Sequence, residues 1–333
     1  MDLTLSPEQT EIVDSSAAFL RARLPISRTR ELLDTDRLVD DAAWASSAEL
    51  GWFGLGLPEE RGGVGFGLAA ESLLFREIGR SLAAGPFLAT VLAARVAAFA
   101  GRDDLAATIL AGDERVGLVI GGSLEGPLQL LDADGSLVVV VSATATSLVE
   151  VAALDDVVQV PCVDPACTLR RAVGRDVEPV ASVTSDVDPI ERRGLVLAAA
   201  MSTGITEAVR DLAAAHATSR IQFGKPIGVN QAVKHPCAQM AVRAELAHAQ
   251  TVFAAVASDE GRRDADFHAL SALLVATEAA GWSAAATIQV LGGMGFTFEH
   301  DAQLYLKRAL VLSHLFGGTG VQLERLLTLD PAD

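Results

Sequence analysis

Basic residues are scarce in this chain. Its 333 residues include 26 lysines and arginines against 43 aspartates and glutamates, which gives a formal net charge of -17 at pH 7. Such a balance argues against nucleic acid as a partner, because phosphates require a basic surface, and it disfavours an anionic membrane surface. An anionic small molecule would need a local basic cluster that works against the field of the whole chain.

Cysteine is scarce as well, and long apolar runs are missing. The odd number of thiols (Cys162, Cys167 and Cys237) and an acidic N-terminus without a secretory pattern predict reduced thiols in a cytoplasmic protein. Neither the cysteines nor the histidines follow a metal-binding spacing, so no metal is expected. No uninterrupted apolar run approaches the ~18 residues that cross a bilayer, so no membrane association is expected.

The sequence divides into three successive regions that differ in the pattern of their apolar residues. Residues 1–112 show helical periodicity, with Ser6 as an N-cap and Pro7 at the first helical position. Residues 113–187 hold short β-branched runs, and the segment 132–135 (DADG) predicts a hairpin turn between two of them. Residues 188–333 return to long helices with short loops. We therefore predict an α+β protein with an N-terminal helical domain, a small middle β domain and a C-terminal four-helix bundle.

Five motifs follow one another along nearly the whole chain. They are LGWFGLGLPEERGG at 50–63, REIGR at 76–80, RIQFGKPI at 220–227, QVLGGMGF at 289–296 and LFGGT at 315–319. In this order they resemble the acyl-CoA dehydrogenase superfamily. The resemblance implies the three-domain fold, FAD as the cofactor, an acyl-CoA thioester as the substrate and α,β-dehydrogenation as the reaction.

The resemblance also implies which residues contact FAD. The planar guanidinium of Arg220 suits phosphate oxygens, and the ring of Phe223 suits an adenine or sugar face. In the family these residues touch the ADP half of an FAD held mainly by a neighbouring subunit. Taken alone, an arginine at a helix end and a core phenylalanine explain the same pattern. The implied FAD contacts are Arg220, Phe223, Gln231, Gln289, Gly292, Gly293 and Thr319.

Gly317 stands where many members of the family carry the glutamate that removes the substrate proton. This step requires a positioned base, and glycine has no group that accepts a proton. Other members place the glutamate at the start of the first bundle helix, which falls here at Gly194 or Leu195. Glu191, about one turn earlier, is the remaining candidate base. Its alternative role is a first-turn acidic residue that complements the helix dipole.

The β domain departs from the family pattern too. The family places a tryptophan near flavin N5, but no tryptophan occurs between residues 112 and 188, and the stretch 120–127 replaces the usual loop. The residues implied to contact the ADP half of FAD are therefore present, whereas the base and the residues implied to contact the flavin ring are absent. This asymmetry predicts a hetero-oligomer with a partner acyl-CoA dehydrogenase chain. It resembles the shortened subunits of α2β2 enzymes, which are heterotetramers, in bacterial steroid side-chain degradation.

Two alternatives remain open at the level of sequence. The first is a self-sufficient acyl-CoA dehydrogenase that uses Glu191 as its base. The second is a flavin-free structural or acyl-CoA-binding protein that has kept only the fold, since a fold alone does not define a function. No motif specifies the acyl group of the substrate or the electron acceptor.

Overall fold

The computed structural model describes residues 4–33, 35 and 38–329. It confirms the α+β architecture of a helical N-terminal part, a middle sheet and a C-terminal bundle. The helices of the N-terminal part are α1 (Pro7–Arg23), α2 (Ile26–Leu33), α3 (Asp41–Glu49), α4 (Leu68–Ser81), α5 (Phe87–Phe99) and α6 (Asp103–Leu110). The predicted start of α1 is confirmed, because the Ser6 hydroxyl accepts a hydrogen bond from the Gln9 amide and the Gln9 side chain accepts one from the Ser6 amide.

The middle part is one twisted sheet. Its strands are β1 (Gly117–Ile120), β2 (Gly126–Leu131), β3 (Leu137–Val141), β4 (Ala145–Glu150), β5 (Asp155–Val160), β6 (Leu169–Gly174) and β7 (Ala181–Thr184). Their order across the sheet is β5-β6-β2-β1-β3-β4-β7. The predicted domain boundaries after residues 112 and 187 fall outside helices and strands, and they stay predictions.

The predicted hairpin at 132–135 is wrong, because β1 lies between the two strands that this turn would join. β1 pairs antiparallel with β2 and parallel with β3. All five residues of β3 are buried, and such an uninterrupted apolar strand takes an interior position in a sheet. The start of this segment is instead bonded to Thr168, the residue before β6. The Asp132 amide donates to the Thr168 carbonyl at 2.9 Å, and the Thr168 amide donates to Asp132 Oδ1 at 2.8 Å.

The C-terminal part is built on one long central helix. Its elements are α7 (Ile190–Ser219), the small hairpin β8 (Ile221–Gln222) and β9 (Lys225–Pro226), α8 (Gln231–Asp259), α9 (Ala265–Leu291), α10 (Ala302–His314) and α11 (Gly318–Leu326). The helical segment Ala265–Phe296 is long and apolar enough to cross a membrane on length and composition alone. Of the apolar 18-residue window within it, 56% is buried inside the fold, as in the core helix of a bundle.

The REIGR motif is a helix-crossing site. A Cβ on Gly79 would lie 2.1 Å from the Met201 carbonyl oxygen, and a Cβ on Gly204 would lie 2.0 Å from the Arg76 carbonyl oxygen. The backbones of α4 and α7 therefore approach so closely that only glycine fits at either position. Arg80 adds an ion pair across the crossing, with Nη1 at 2.8 Å from Glu207 Oε2.

Three buried arginine–carboxylate pairs join the parts of the molecule. Arg95 holds Asp188 through two hydrogen bonds of 2.8 and 2.6 Å, which ties α5 to the segment before α7. The second pair, Arg193 with Glu71, joins α7 to α4. The third, Arg308 with Asp164, joins α10 to the loop before β6. Burial of each charge is tolerated because each is paired and hydrogen-bonded.

Replacing Arg308 by methionine should destabilise the protein strongly. The variant leaves the buried Asp164 carboxylate without its partner, and breaking a buried pair costs about 3–5 kcal/mol. The matched control is Arg170→Met, which removes the half-exposed Arg170–Asp134 pair and should cost at most about 1 kcal/mol. The free energy of unfolding from urea titration measures both. Equal losses in the two variants would contradict a stabilising role for the Arg308 pair.

Candidate functional site

One end of the bundle gathers most of the predicted FAD contacts. Arg220 ends α7, Gln231 begins α8, and Gln289 lies in the last turn of α9, followed by Gly292 and Gly293. α7, α8 and α9 run antiparallel in succession, so these three helix ends coincide. A small apolar cluster of residues from the three helices, Ala213, Met240 and Val290, packs beneath them.

The hairpin after α7 holds its turn in a conformation that most residues avoid. Phe223 has φ of 52° and Gly224 has φ of 77°, which is the left-handed pair that a tight two-residue hairpin requires. A phenylalanine at positive φ is strained, and such strain is concentrated at functional positions. The fold does not bury the ring, because Phe223 is fully exposed at 102% of its reference area.

The other predicted contacts at this end also face outward. Arg220, Gln231 and Gln289 are exposed, and their side chains form no hydrogen bond or ion pair with any residue in the ranges 4–33, 35 and 38–329. At Gly292 and Gly293 an added Cβ would meet nothing within 4 Å, so their backbone is open to an incoming group. These polar groups are therefore accessible on the surface of the described part of the chain.

This end of the bundle is also the cationic part of an acidic molecule. The stretches 212–244 and 279–298 contain no aspartate or glutamate, although the chain has 43 of them. Two of its three lysines lie in these stretches, Lys225 in β9 and Lys234 in the first turn of α8, and the third, Lys307 of α10, stacks on the exposed Phe298 ring at 5.2 Å. The local basic cluster that an anionic ligand needs is thus present.

Thr319 does not join this cluster. It lies in the first turn of α11, and Arg325 of the same helix binds Glu191 at the start of α7 through two contacts of 2.7 Å. Arg220 lies at the opposite end of α7. The 30 residues of that helix span roughly 45 Å at about 1.5 Å per residue. Within one chain, Thr319 and Arg220 therefore face different regions.

An added side chain is hindered at Gly194 and strained at Gly317, which are two of the positions where the resemblance puts the glutamate; the third, Leu195, is a buried apolar residue. A Cβ on Gly194 would lie 2.9 Å from Phe316 Cζ and 3.2 Å from Leu92 Cδ1, so the Phe316 ring occupies the space that a side chain there requires. Gly317 has φ of 88°, and a Cβ on it would lie 3.1 Å from Val321 Cγ1. Neither position accepts a carboxylate without repacking and backbone strain.

Glu191 is held by an ion pair. Arg325 donates one hydrogen bond to each of its carboxylate oxygens at 2.7 Å, which is the bidentate geometry of a strong charge-assisted pair. The next two residues are paired as well, Arg192 with Asp266 of α9 and Arg193 with Glu71 of α4. A cavity of about 350 Å³ opens beside Glu191 and Arg325, but the oxygens of Glu191 are committed to the arginine.

A second cavity lies where the N-terminal helices, the sheet and the bundle meet. It measures about 40 Å³ and is lined mainly by apolar side chains, with Asp132, Cys167 and Arg308 in its wall. Burial raises the pKa of Asp132 to about 7 and raises the pKa of the Cys167 thiol well above its usual value. The volume is far below the roughly 300 Å³ at which ligand sites begin.

Comparison with known protein families identifies the class. The model of the acyl-CoA dehydrogenase N-terminal domain matches residues 6–112, and the model of the acyl-CoA dehydrogenase C-terminal domain matches residues 192–328. The chain therefore belongs to the acyl-CoA dehydrogenase family of oxidoreductases, which act on CH–CH bonds.

Two relatives of Mycobacterium tuberculosis are similar over most of this chain. Acyl-CoA dehydrogenase IpdE2 is 33% identical over 96% of both chains. Acyl-CoA dehydrogenase FadE34 is 34% identical over 87% of this chain, which spans only 42% of FadE34. The ChsE4–ChsE5 complex of the same organism contains a chain of the same fold, with a TM-score of 0.86, 23% identity and full coverage of both chains. The Tcur3481–Tcur3483 steroid acyl-CoA dehydrogenase G363A variant superposes with a TM-score of 0.82, 23% identity and 97% coverage of both chains.

Because Phe316 packs on Gly194, the effects of substitutions at these two positions on the free energy of unfolding should be coupled. Gly194→Ala places its methyl group against the ring and should lower the free energy of unfolding by about 1–3 kcal/mol, the usual cost of overpacking. In a Phe316→Ala background the same change should cost much less, because the ring is gone. A double-mutant cycle by urea unfolding measures the difference.

The control for this cycle is Gly281→Ala on α9, where an added Cβ meets nothing within 4 Å. This change should be neutral or stabilising by up to about 1 kcal/mol, because alanine favours a helix interior over glycine. Strictly additive costs for the Gly194 and Phe316 variants would show that the ring does not fill the position of the missing base.

Proposed function

We propose that this chain is a subunit of an FAD-dependent acyl-CoA dehydrogenase that lacks the catalytic base and completes the FAD site of a partner chain. The complex removes hydrogens from the α and β carbons of an acyl-CoA thioester, with FAD as the hydride acceptor when bound. One observation carries the proposal. An added side chain at Gly194 would meet the Phe316 ring and one at Gly317 would be strained by the positive φ, whereas the side chains of Arg220, Gln231 and Gln289 are exposed and have no hydrogen-bond partner among the described residues.

The residues of the Arg220 end fit the ADP portion of FAD. An exposed guanidinium suits the pyrophosphate, the open backbone at Gly292 and Gly293 gives N–H groups room to approach phosphate oxygens, and the Phe223 ring offers a flat apolar face. The surrounding stretches 212–244 and 279–298 contain no acidic residue, which favours binding of the anionic ADP portion of FAD. Because these groups point away from their own fold, they would hold an FAD that lies on a neighbouring chain.

The residues of this chain do not fit the flavin ring in the same way. The cavity at the junction of the three parts measures only about 40 Å³, and its wall contains the buried Arg308–Asp164 pair. Glu191 is bound by Arg325. We therefore assign the proton-accepting base, the flavin-ring site and the acyl pocket to the partner. Thr319 lies at the other end of α7, so its contact with FAD is a separate prediction.

The assembly we propose is a heterotetramer of two copies of this chain and two of a partner acyl-CoA dehydrogenase chain. The similarity in fold to the ChsE4–ChsE5 complex supports this proposal, as does the similarity to the steroid acyl-CoA dehydrogenase Tcur3481–Tcur3483. The second of these, which is a steroid acyl-CoA dehydrogenase, supports a steroid-derived acyl group on CoA as the substrate. We also propose that the complex is cytoplasmic, in line with its free cysteines Cys162, Cys167 and Cys237.

Arg220→Ala should release flavin from the complex while leaving the chains assembled. The chain carries an affinity tag and is purified with the acyl-CoA dehydrogenase chain that associates with it. We expect the variant complex to lose at least tenfold in FAD affinity, because the guanidinium no longer binds the phosphates. Flavin absorbance after gel filtration measures this loss.

The control is Arg175→Ala, which removes another exposed arginine, directly after β6 of the sheet. It should leave the flavin content unchanged. Wild-type flavin content in Arg220→Ala would refute the assignment of this end to the cofactor, and the absence of flavin from the wild-type complex would favour a flavin-free protein.

Glu191→Gln should leave turnover within about twofold of the wild type. An amide at this position still accepts one hydrogen bond from Arg325, and the proposal gives the carboxylate no part in proton transfer. The measurement is kcat of the purified complex with an acyl-CoA substrate and an artificial electron acceptor. Loss of turnover with retention of flavin would instead establish the self-sufficient enzyme in which Glu191 is the base.

A further inference from the structure

The segment 292–301 connects α9 to α10 and contains two of the residues that we assign to FAD, Gly292 and Gly293. Because it has a third glycine, Gly295, its backbone is more adaptable than that of an ordinary loop. Its beginning is fixed by α9, since a Cβ on Gly295 would lie 2.6 Å from the Ile288 carbonyl oxygen. Burial anchors little of the rest. The large apolar side chains of the segment are exposed, those of Met294, Phe296 and Phe298.

Arg30 of α2 holds the other end of the segment. Its Nε donates to Asp301 Oδ1 at 2.5 Å, and its Nη1 donates to the Phe298 carbonyl oxygen at 2.8 Å. Asp301 is the residue directly before α10, and its carbonyl oxygen accepts the Leu304 amide at 2.9 Å. One guanidinium therefore bonds both the backbone of the segment and the residue from which the next helix starts. The planar fork of an arginine suits two such partners at once.

α2 is itself fixed within the N-terminal part of the chain. Thr29 is buried, and its hydroxyl donates to the Leu82 carbonyl oxygen at 3.3 Å. Arg28, two residues before Arg30, bonds Asp40 Oδ2 at 2.7 Å, inside the N-terminal part. The end of the segment is therefore attached to a packed helix from another part of the molecule, and Arg28 offers a matched control on the same helix.

The pair of Arg30 and Asp301 is better suited to fixing a position than to stabilising the fold. The two side chains are 28% and 36% exposed, and pairs so close to solvent add little to the free energy of unfolding. The pair acts on the geometry of the segment, which is fixed at Gly295 by α9 and at Asp301 by Arg30. Groups held in their binding geometry before the ligand arrives avoid the entropic cost of ordering them during binding.

We infer that Arg30 is a positioning residue for FAD: it fixes segment 292–301 so that the backbone N–H groups of Gly292 and Gly293 stay in place for the phosphates. The inference rests on the proposed function, which assigns these glycines to the ADP portion of the cofactor. It gives Arg30 no contact with FAD itself. The family motifs confine the FAD contacts to the C-terminal part, whereas this inference makes the N-terminal part contribute to their geometry.

Arg30→Gln should weaken FAD binding without changing the assembly or the chemistry. In the complex purified with the partner acyl-CoA dehydrogenase chain, we expect the FAD dissociation constant to rise about three- to tenfold, because the segment must then be ordered on binding. Flavin fluorescence on dilution of the complex measures this constant. At saturating FAD, kcat should match that of the wild type, since Arg30 is not among the reacting groups. Arg28→Gln is the control and should leave the dissociation constant unchanged.

A double-mutant cycle tests whether Arg30 acts through Asp301. The Asp301 side chain does not cap α10, so Asp301→Ala removes the pair without removing a helix cap. We expect Asp301→Ala to weaken FAD binding by a similar factor, and the double variant to weaken it by much less than the product of the two single effects. An effect of the double variant equal to that product would overturn the inference.

Hydrogen exchange of the complex, followed by mass spectrometry, reports on the segment directly. Peptides that cover residues 292–301 should exchange faster in Arg30→Gln than in the wild type and in Arg28→Gln, whereas peptides from the middle of α8 should exchange at the same rate in all three. Equal exchange of the segment in the three proteins would overturn the inference, because the segment would then not depend on Arg30.

The flavin measurements separate this inference from the proposed function. Unchanged FAD binding in Arg30→Gln, with flavin lost from Arg220→Ala, would overturn the inference and leave the proposed function standing. Absence of flavin from the wild-type complex would overturn both.

Discussion

The start of α7 is the constraint on which the arrangement of this molecule depends. Glu191, Arg192 and Arg193 point in different directions, and each is bound to a residue of opposite charge, on α11, α9 and α4 respectively. One helical turn is thereby fixed against three neighbours. Gly194 follows at once and receives the Phe316 ring. The start of α7 is therefore a packed and charge-paired junction.

The two ends of α7 differ in their chemistry as a result. At the start, charges are paired, an added side chain on Gly194 would meet the Phe316 ring, and the cavity of about 350 Å³ is bordered by a Glu191 carboxylate that Arg325 binds. At the far end, Arg220 and Phe223 are exposed, acidic residues are missing from the flanking stretches, and a strained turn presents an aromatic ring to solvent. The proposed role, a subunit without the base that completes the FAD site of a partner, rests on this contrast.

Much of this was predictable from the sequence because it depends on local patterns. The capping box at Ser6, the long helices and the family motifs are encoded by neighbouring residues, whereas the FAD contacts at the Arg220 end stay a prediction. Other features depend on residues far apart in the chain. Arg325 lies 134 positions from Glu191, and no local signal links Phe316 to Gly194. The prediction of a hairpin at 132–135 was wrong because β1, which lies between β2 and β3 in the sheet, precedes both of them in the chain.

The number of flavins per chain tests the central claim most directly. The account predicts that the assembly purified through this chain contains one FAD for every two chains, held by the partner and completed by the Arg220 end of this chain. Absorbance of the released flavin, together with native mass spectrometry, gives this ratio. One FAD for every chain, with activity in an assembly made of this chain alone, would contradict the account.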